Sequence, residues 1–163
     1  MKTWVVNASP LILLGKIGRL ELLEKLAPTF IIPAAVTLEL LAGPDHDPAK
    51  VWIKGALGSV HVVPDASAHP QILAWDLGAG ETAVLAIAST RSECICVLDD
   101  LAARTCAEVF QLPVIGTLGI LLKAKAEGVI PRLLPEIDRL MTAGSLLSPA
   151  VIQKALSLAG ETS

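Results

Sequence analysis

Hydrophobic positions in this chain gather into short unbroken runs instead of alternating with polar ones. Such runs predict strands at residues 3–6, 29–32, 60–63, 94–98 and 113–115. Continuous apolar strands are the mark of a sheet buried on both faces. Between them the apolar spacing changes to the helical period. Helices are predicted at 11–14 and 17–26, broken by Gly15 and Gly18, with Ser9-Pro10 as an N-cap followed by proline at the first helical position. Pro33 opens a helix that runs to Leu41, and one further helix is predicted at 45–58. Residues 69–77 stay open between helix and loop. Helices then follow at 81–90, 101–110, 117–128, 132–143 and 149–158. Strands alternating with helices indicate a parallel sheet with right-handed crossovers. The expected fold class is α/β, a three-layer α/β/α sandwich with a parallel sheet of about five strands, as one domain over residues 1–163.

Composition narrows the function classes. With 53% hydrophobic residues the chain has a large core to bury, and 163 residues suit one such core. Aromatic residues make up 3% and Tyr is absent, which argues against base stacking on aromatic side chains. A net charge of -3 argues against a generally basic face and leaves room only for a local basic groove. Three cysteines, without metal-type spacing, fit a reducing compartment better than a disulfide framework. The apolar N-terminal stretch is interrupted by Asn7, Ser9 and Pro10 and has no small-residue cleavage site after it. No apolar stretch is long enough to span a bilayer. A cytoplasmic protein with no membrane association is expected.

Because charges are few, their placement is informative. The run at 94–98 ends abruptly in Asp99 and Asp100, and a helical segment starts at once. Asp100 suits an N-cap, so the pair reads equally as a cap or as part of a site. Glu39 is the only charge between Lys25 and Asp45; Glu81 follows Gly78-Ala79-Gly80 and opens an otherwise apolar helix. For each there is a plain alternative: a solvated helix position for Glu39, an interaction with the helix dipole for Glu81, and turn or cap chemistry for Asn7 at the end of the first strand. Taken together, Asn7, Glu81 and Asp99/Asp100 fall at strand ends or helix starts, and a parallel sheet brings such ends to one edge. Carboxylates without basic partners raise one another's pKa and favour a cation. Their hard oxygens suit Mg²⁺ or Mn²⁺, which points to metal-assisted phosphodiester hydrolysis. His46, His61 and His69 share no ligand spacing for zinc. The sequence has no phosphate-cradling glycine loop and no nucleophile elbow.

The quoted residues resemble the PIN domain superfamily, in particular small prokaryotic PIN-like proteins related to the toxin ribonucleases of type II toxin–antitoxin pairs. The resemblance rests on Val5-Val-Asn-Ala-Ser-Pro-Leu-Ile-Leu-Leu, Ile32-Pro-Ala-Ala-Val-Thr-Leu-Glu-Leu, Gly78-Ala-Gly-Glu-Thr-Ala-Val-Leu-Ala-Ile-Ala and Val97-Leu-Asp-Asp. It continues through Leu112-Pro-Val-Ile-Gly-Thr-Leu-Gly-Ile-Leu-Leu and the C-terminal Leu147-Ser-Pro-Ala-Val-Ile-Gln-Lys-Ala-Leu-Ser-Leu-Ala-Gly-Glu. Each piece is weak alone, but together they cover nearly the whole chain in the expected order. The resemblance implies a metal-dependent endoribonuclease in which Glu39, Glu81 and Asp100 are catalytic and hold Mg²⁺ or Mn²⁺. Asn7 and Asp99 would complete the metal set, with Ser9 and Thr117 as supporting hydroxyls. Two positions depart from the pattern: Asn7 stands where the family carries its first acid, and Leu101 where a basic residue is common. Arg104 remains as a phosphate contact.

The leading expectation is therefore a toxin ribonuclease acting on RNA and restrained by a cognate antitoxin. Arg104, Lys123, Lys125 and Arg132 are the candidates for a local basic strip. The alternative is a PIN-like protein with a weakened or inactive site, acting through RNA or partner binding. A phosphoacceptor receiver domain ranks low, because it needs an acidic pair after its first strand. Residues 118–122 and 130–134 suggest a homo-oligomer, as a dimer, since one small sheet leaves many apolar helices to cover.

Overall fold

A computed structural model describes residues 2–161; Met1, Thr162 and Ser163, at the ends of the expected domain, lie outside the described residues. Five strands form one sheet: β1 (Thr3–Val6), β2 (Thr29–Pro33), β3 (Val62–Val63), β4 (Cys94–Val97) and β5 (Val114–Ile115). Their order is β3-β2-β1-β4-β5, and every pairing is parallel. Val5 lies level with Ile31 on one side and Cys96 on the other, so the apolar runs stack in register through the centre. This is the α/β/α sandwich that the pattern predicts.

The helices flanking the sheet are α1 (Ala8–Lys16), α2 (Glu21–Leu26), α3 (Ala34–Leu41), α4 (Pro48–Lys54), α5 (Ala56–Ser59) and α6 (Pro70–Leu73). They continue with α7 (Ala79–Thr90), α8 (Leu101–Val109), α9 (Thr117–Ala126), α10 (Leu134–Thr142) and α11 (Pro149–Leu158). The alanine-rich α7 packs across β1, β2 and β4 and also meets α3, α6 and α8. Small side chains let it lie close to the sheet, and all of residues 83–88 are buried. On other strands and helices, α2 packs on β2 and α9, and α9 also meets α1 and α11. Cys94, Cys96 and Cys106 are free and buried, and burial pushes the Cys96 thiol up to about 12. They serve as small apolar side chains.

Several expectations change. The first helix starts two residues earlier than Ser9-Pro10 suggests: its N-cap is Asn7. Pro10 then sits in the first turn, where its missing N–H costs no helical bond. Gly15 does not break α1. It lets the helix approach α4, because a Cβ there would stand 3.1 Å from the Ala49 nitrogen and 3.3 Å from Pro48 Cβ. Gly18, at φ +71°, is the actual stop. The expected helix at 45–58 is divided at Gly55, which is extended at ψ 170°. Of the stretches expected at an interface, Ile120, Leu121, Ile130 and Leu133 are at most 1% exposed and belong to the core, whereas Leu118, Leu122 and Leu134 are half-buried.

Candidate active site

The strand order places the site. The chain builds outward from β1 to β2 and β3, then returns to add β4 and β5 on the other side. The crevice between the carboxyl ends of β1 and β4 is thus the topological switch point, where open parallel sheets bind ligands. Asn7 follows β1 and Asp99 follows β4 by two residues. A hydrogen bond from the Asn7 amide to the Val97 carbonyl, at 3.1 Å, ties the two ends together.

Asn7 is 2% exposed, and its side chain makes no capping bond to α1. Its Oδ1 is buried without a hydrogen-bond partner. A buried amide oxygen left unpaired costs about 1–3 kcal/mol, so the position of this one is informative. It points at Gly80 in the first turn of α7: a Cβ on that glycine would stand 2.7 Å from Asn7 Oδ1 and 3.0 Å from Glu39 Oε1. Gly80 has no side chain to fill this space, which brings β1, α3 and α7 to one point. Glu39 is on the outer part of α3, and Glu81 adjoins Gly80 with its carboxylate folded back over Gly78. Partial burial, then the neighbouring Glu81 charge, hold the Glu39 carboxyl above its ordinary range.

Asp99 is held on the other wall. Thr117, at the start of α9, donates to it twice at 2.7 Å, from its backbone N–H to Oδ1 and from its hydroxyl to Oδ2. The Ser9 hydroxyl donates to Oδ2 at 3.4 Å. Gly116 provides the room, since a Cβ there would stand 2.9 Å from Asp99 Oδ1 and 2.6 Å from Arg104 Nη1. Arg104 donates to the Leu98 carbonyl at 3.1 Å. Asp100 points elsewhere: it is the N-cap of α8, accepting the Ala103 N–H at 2.9 Å, and it is exposed. Asp99, not its neighbour Asp100, is the acid that the Ser9 and Thr117 hydroxyls hold.

A family model described as PIN domain matches residues 3–161. The chain belongs to the PIN domain family. Among curated proteins and among solved structures, nothing matches. Membership brings a nuclease-type fold, and PIN domains typically use divalent metals. The donor chemistry of this PIN domain fits such an ion: amide and carboxylate oxygens alone, one of them buried and unpaired on the Gly80 side of Glu39, whose carboxylate is repelled by Glu81. Among the described residues, no three Asp, Glu, His or Cys side chains form a ready metal cluster.

One cleft of ≈ 1220 Å³ takes in Ser9, Glu39, Glu81, Asp99, Asp100, Arg104 and Thr117. Two further cations line it that the sequence did not single out, Lys16 at the end of α1 and Lys154 on α11. Of the expected basic strip only Arg104 is there. Lys123 pairs with Glu127 at 2.8 Å, while Lys125 and Arg132 lie 3.1 and 4.0 Å from Glu161. No linear signal separates a free lysine from one paired with a residue 36 positions away.

Proposed function

We propose that this chain, as one PIN-like domain, is a cytoplasmic metal-dependent endoribonuclease that hydrolyses RNA phosphodiester bonds, the toxin of a toxin–antitoxin pair restrained by a cognate antitoxin. The observation that supports this reading best is the unpaired Asn7 Oδ1 beside Glu39 and Glu81 at the switch point of the sheet. Asn7, Glu39 and Glu81 would hold Mg²⁺ or Mn²⁺, with Asp99 facing them across the cleft. When bound, such an ion neutralises a phosphate oxygen and makes a water acidic enough to attack.

The chain's own contribution follows from its hydrogen bonds. Asp99 has about four lone-pair positions, and three are taken by Thr117 and Ser9. The carboxylate is thereby fixed in orientation, with one position left to accept a proton from water. Arg104, beside Asp99 at Gly116, is placed to meet a phosphate oxygen. Asp100 keeps α8 capped and adds negative charge to the cleft wall.

The test is cleavage of a single-stranded RNA with Mn²⁺ or with chelator, in the wild type, Glu81→Gln and Asp99→Asn. Loss of about 10²-fold or more in each variant is expected. Activity that survives both substitutions overturns the mechanism. The neutral Asn7, and the absence of a three-acid cluster among the described residues, favour one second reading: a PIN-like protein that binds RNA or a partner without turnover. RNA binding without cleavage, unaffected by Mn²⁺, would select it.

A further inference from the structure

The C-terminal stretch 147–161 supplies none of the acids of the cleft, yet Glu161 near its end is among the most heavily bonded residues in the chain. Glu161 Oε2 accepts the Leu133 N–H at 2.6 Å and the Lys125 ammonium at 3.1 Å, and Oε1 accepts the Leu134 N–H at 3.1 Å. Its side chain is 9% exposed. Those two amides open α10, whose N-cap, Leu133, has no side chain able to satisfy them. Glu161 supplies the missing acceptor from 27 and 28 residues away.

The sequence after α11 aims the carboxylate there. Gly160 takes φ +73°, with its N–H on the Ser157 carbonyl at 3.1 Å and the Glu161 N–H on the Leu156 carbonyl at 2.8 Å. This is the Schellman turn, which needs a residue in the left-handed region and so favours glycine. The turn sends the chain back toward α9 and α10. The helix it fastens has little else to hold it, because of its ten residues only Ala155 and Leu156 are buried. Burial of two side chains is a weak anchor for an amphipathic helix.

That same helix forms a wall of the cleft, contributing Val151, Lys154 and Leu158 alongside Asp99 and Glu81. Lys154 makes no ion pair or side-chain hydrogen bond among the described residues, and neither does Lys16, which lines the cleft from α1. We infer that Glu161 is a positioning residue: it latches α11 against the start of α10 so that Lys154, with Lys16, holds the phosphate backbone of a single-stranded RNA over the acidic site. The inference rests on the nuclease reading for its substrate but not for the latch.

Hydrogen exchange of the full chain without RNA, in the wild type, Glu161→Gln and Lys154→Ala, tests the latch. Amides of 149–160 are expected to exchange about tenfold faster in Glu161→Gln, with β1 and β4 unchanged, because one neutral oxygen replaces a bidentate anion. Cleavage kinetics of a short RNA with Mn²⁺ then test its use. KM is expected to rise about tenfold in Glu161→Gln and several-fold in Lys154→Ala, with kcat within about twofold in both. Should the wild type prove unable to cleave, Kd for the same RNA by fluorescence anisotropy replaces KM, so failure of the nuclease reading registers separately. Unchanged exchange at 149–160 in Glu161→Gln overturns the latch. Faster exchange with RNA affinity unchanged in both variants overturns the role of α11 in holding substrate.

Discussion

Asn7 and Ser9 lie two residues apart at the start of α1, and only the structure shows which does what. Sequence preference makes Ser9 the cap, yet the helix begins at Asn7, whose side chain turns into the crevice while the Ser9 hydroxyl reaches Asp99 90 positions away. The same limit applies to Asp99 and Asp100. Adjacent residues at the end of a strand leave in different directions, so the sequence offers the pair as cap or site without saying which member does which. Glu39 carries a pH consequence. Its carboxyl is held above the ordinary range by burial and by Glu81, so without metal the folded state binds its proton more tightly than the unfolded chain does. Stability must then fall as pH rises through the unfolded value of 4.5 toward the raised folded one. Urea unfolding in chelator between pH 4 and 7 is expected to show this slope, and Glu39→Gln to flatten it. A wild-type slope identical to that of Glu39→Gln would mean that neither burial nor Glu81 raises the Glu39 carboxyl.

Element boundaries were legible where glycine or proline acts through local geometry, and illegible where a partner decides. β1 and α11 fall where the apolar pattern places them, and Gly18 ends α1 by its left-handed backbone. Gly15 reads as a break but is a packing contact with α4, and nothing within its own neighbourhood reveals that. The tie between the α1–α2 turn and α10 was likewise hidden. Glu136 is buried on α10, and its Oε1 accepts from Arg19 Nε at 3.1 Å, from Arg19 Nη2, and from Arg139 at 3.0 Å. Its Oε2 is buried with no partner, so the charge is offset at Oε1 alone, by two N–H groups of the less exposed Arg19 and one of Arg139. Arg19→Met should therefore lower the unfolding free energy by about 3 kcal/mol in urea titrations. Adding Glu136→Leu should restore most of that loss, because the buried charge is then gone. Equal losses in the single and double variants would show that the pair is not what holds α10.

Over the whole molecule, the pattern of apolar runs was sufficient to specify a parallel α/β sandwich, because burial on both faces leaves few other arrangements. No helix among the described residues is long and apolar enough to cross a membrane. What the pattern could not specify is which charges meet. Glu39 from α3, Glu81 from α7 and Asp99 after β4 come to one cleft only through the strand order, with Asn7 Oδ1 buried behind them against Gly80. The reading of this cleft as a divalent-cation site depends on the uncharged Asn7 completing a pair of acids. Calorimetric titration of the metal-free protein with Mn²⁺ examines that directly, in the wild type, Glu39→Gln and Asn7→Asp. Binding by the wild type is expected, weakened about tenfold or more by Glu39→Gln and tightened by Asn7→Asp, which adds a charge at an oxygen already in place. Absence of binding in the wild type, or one affinity shared by all three proteins, would contradict the assignment.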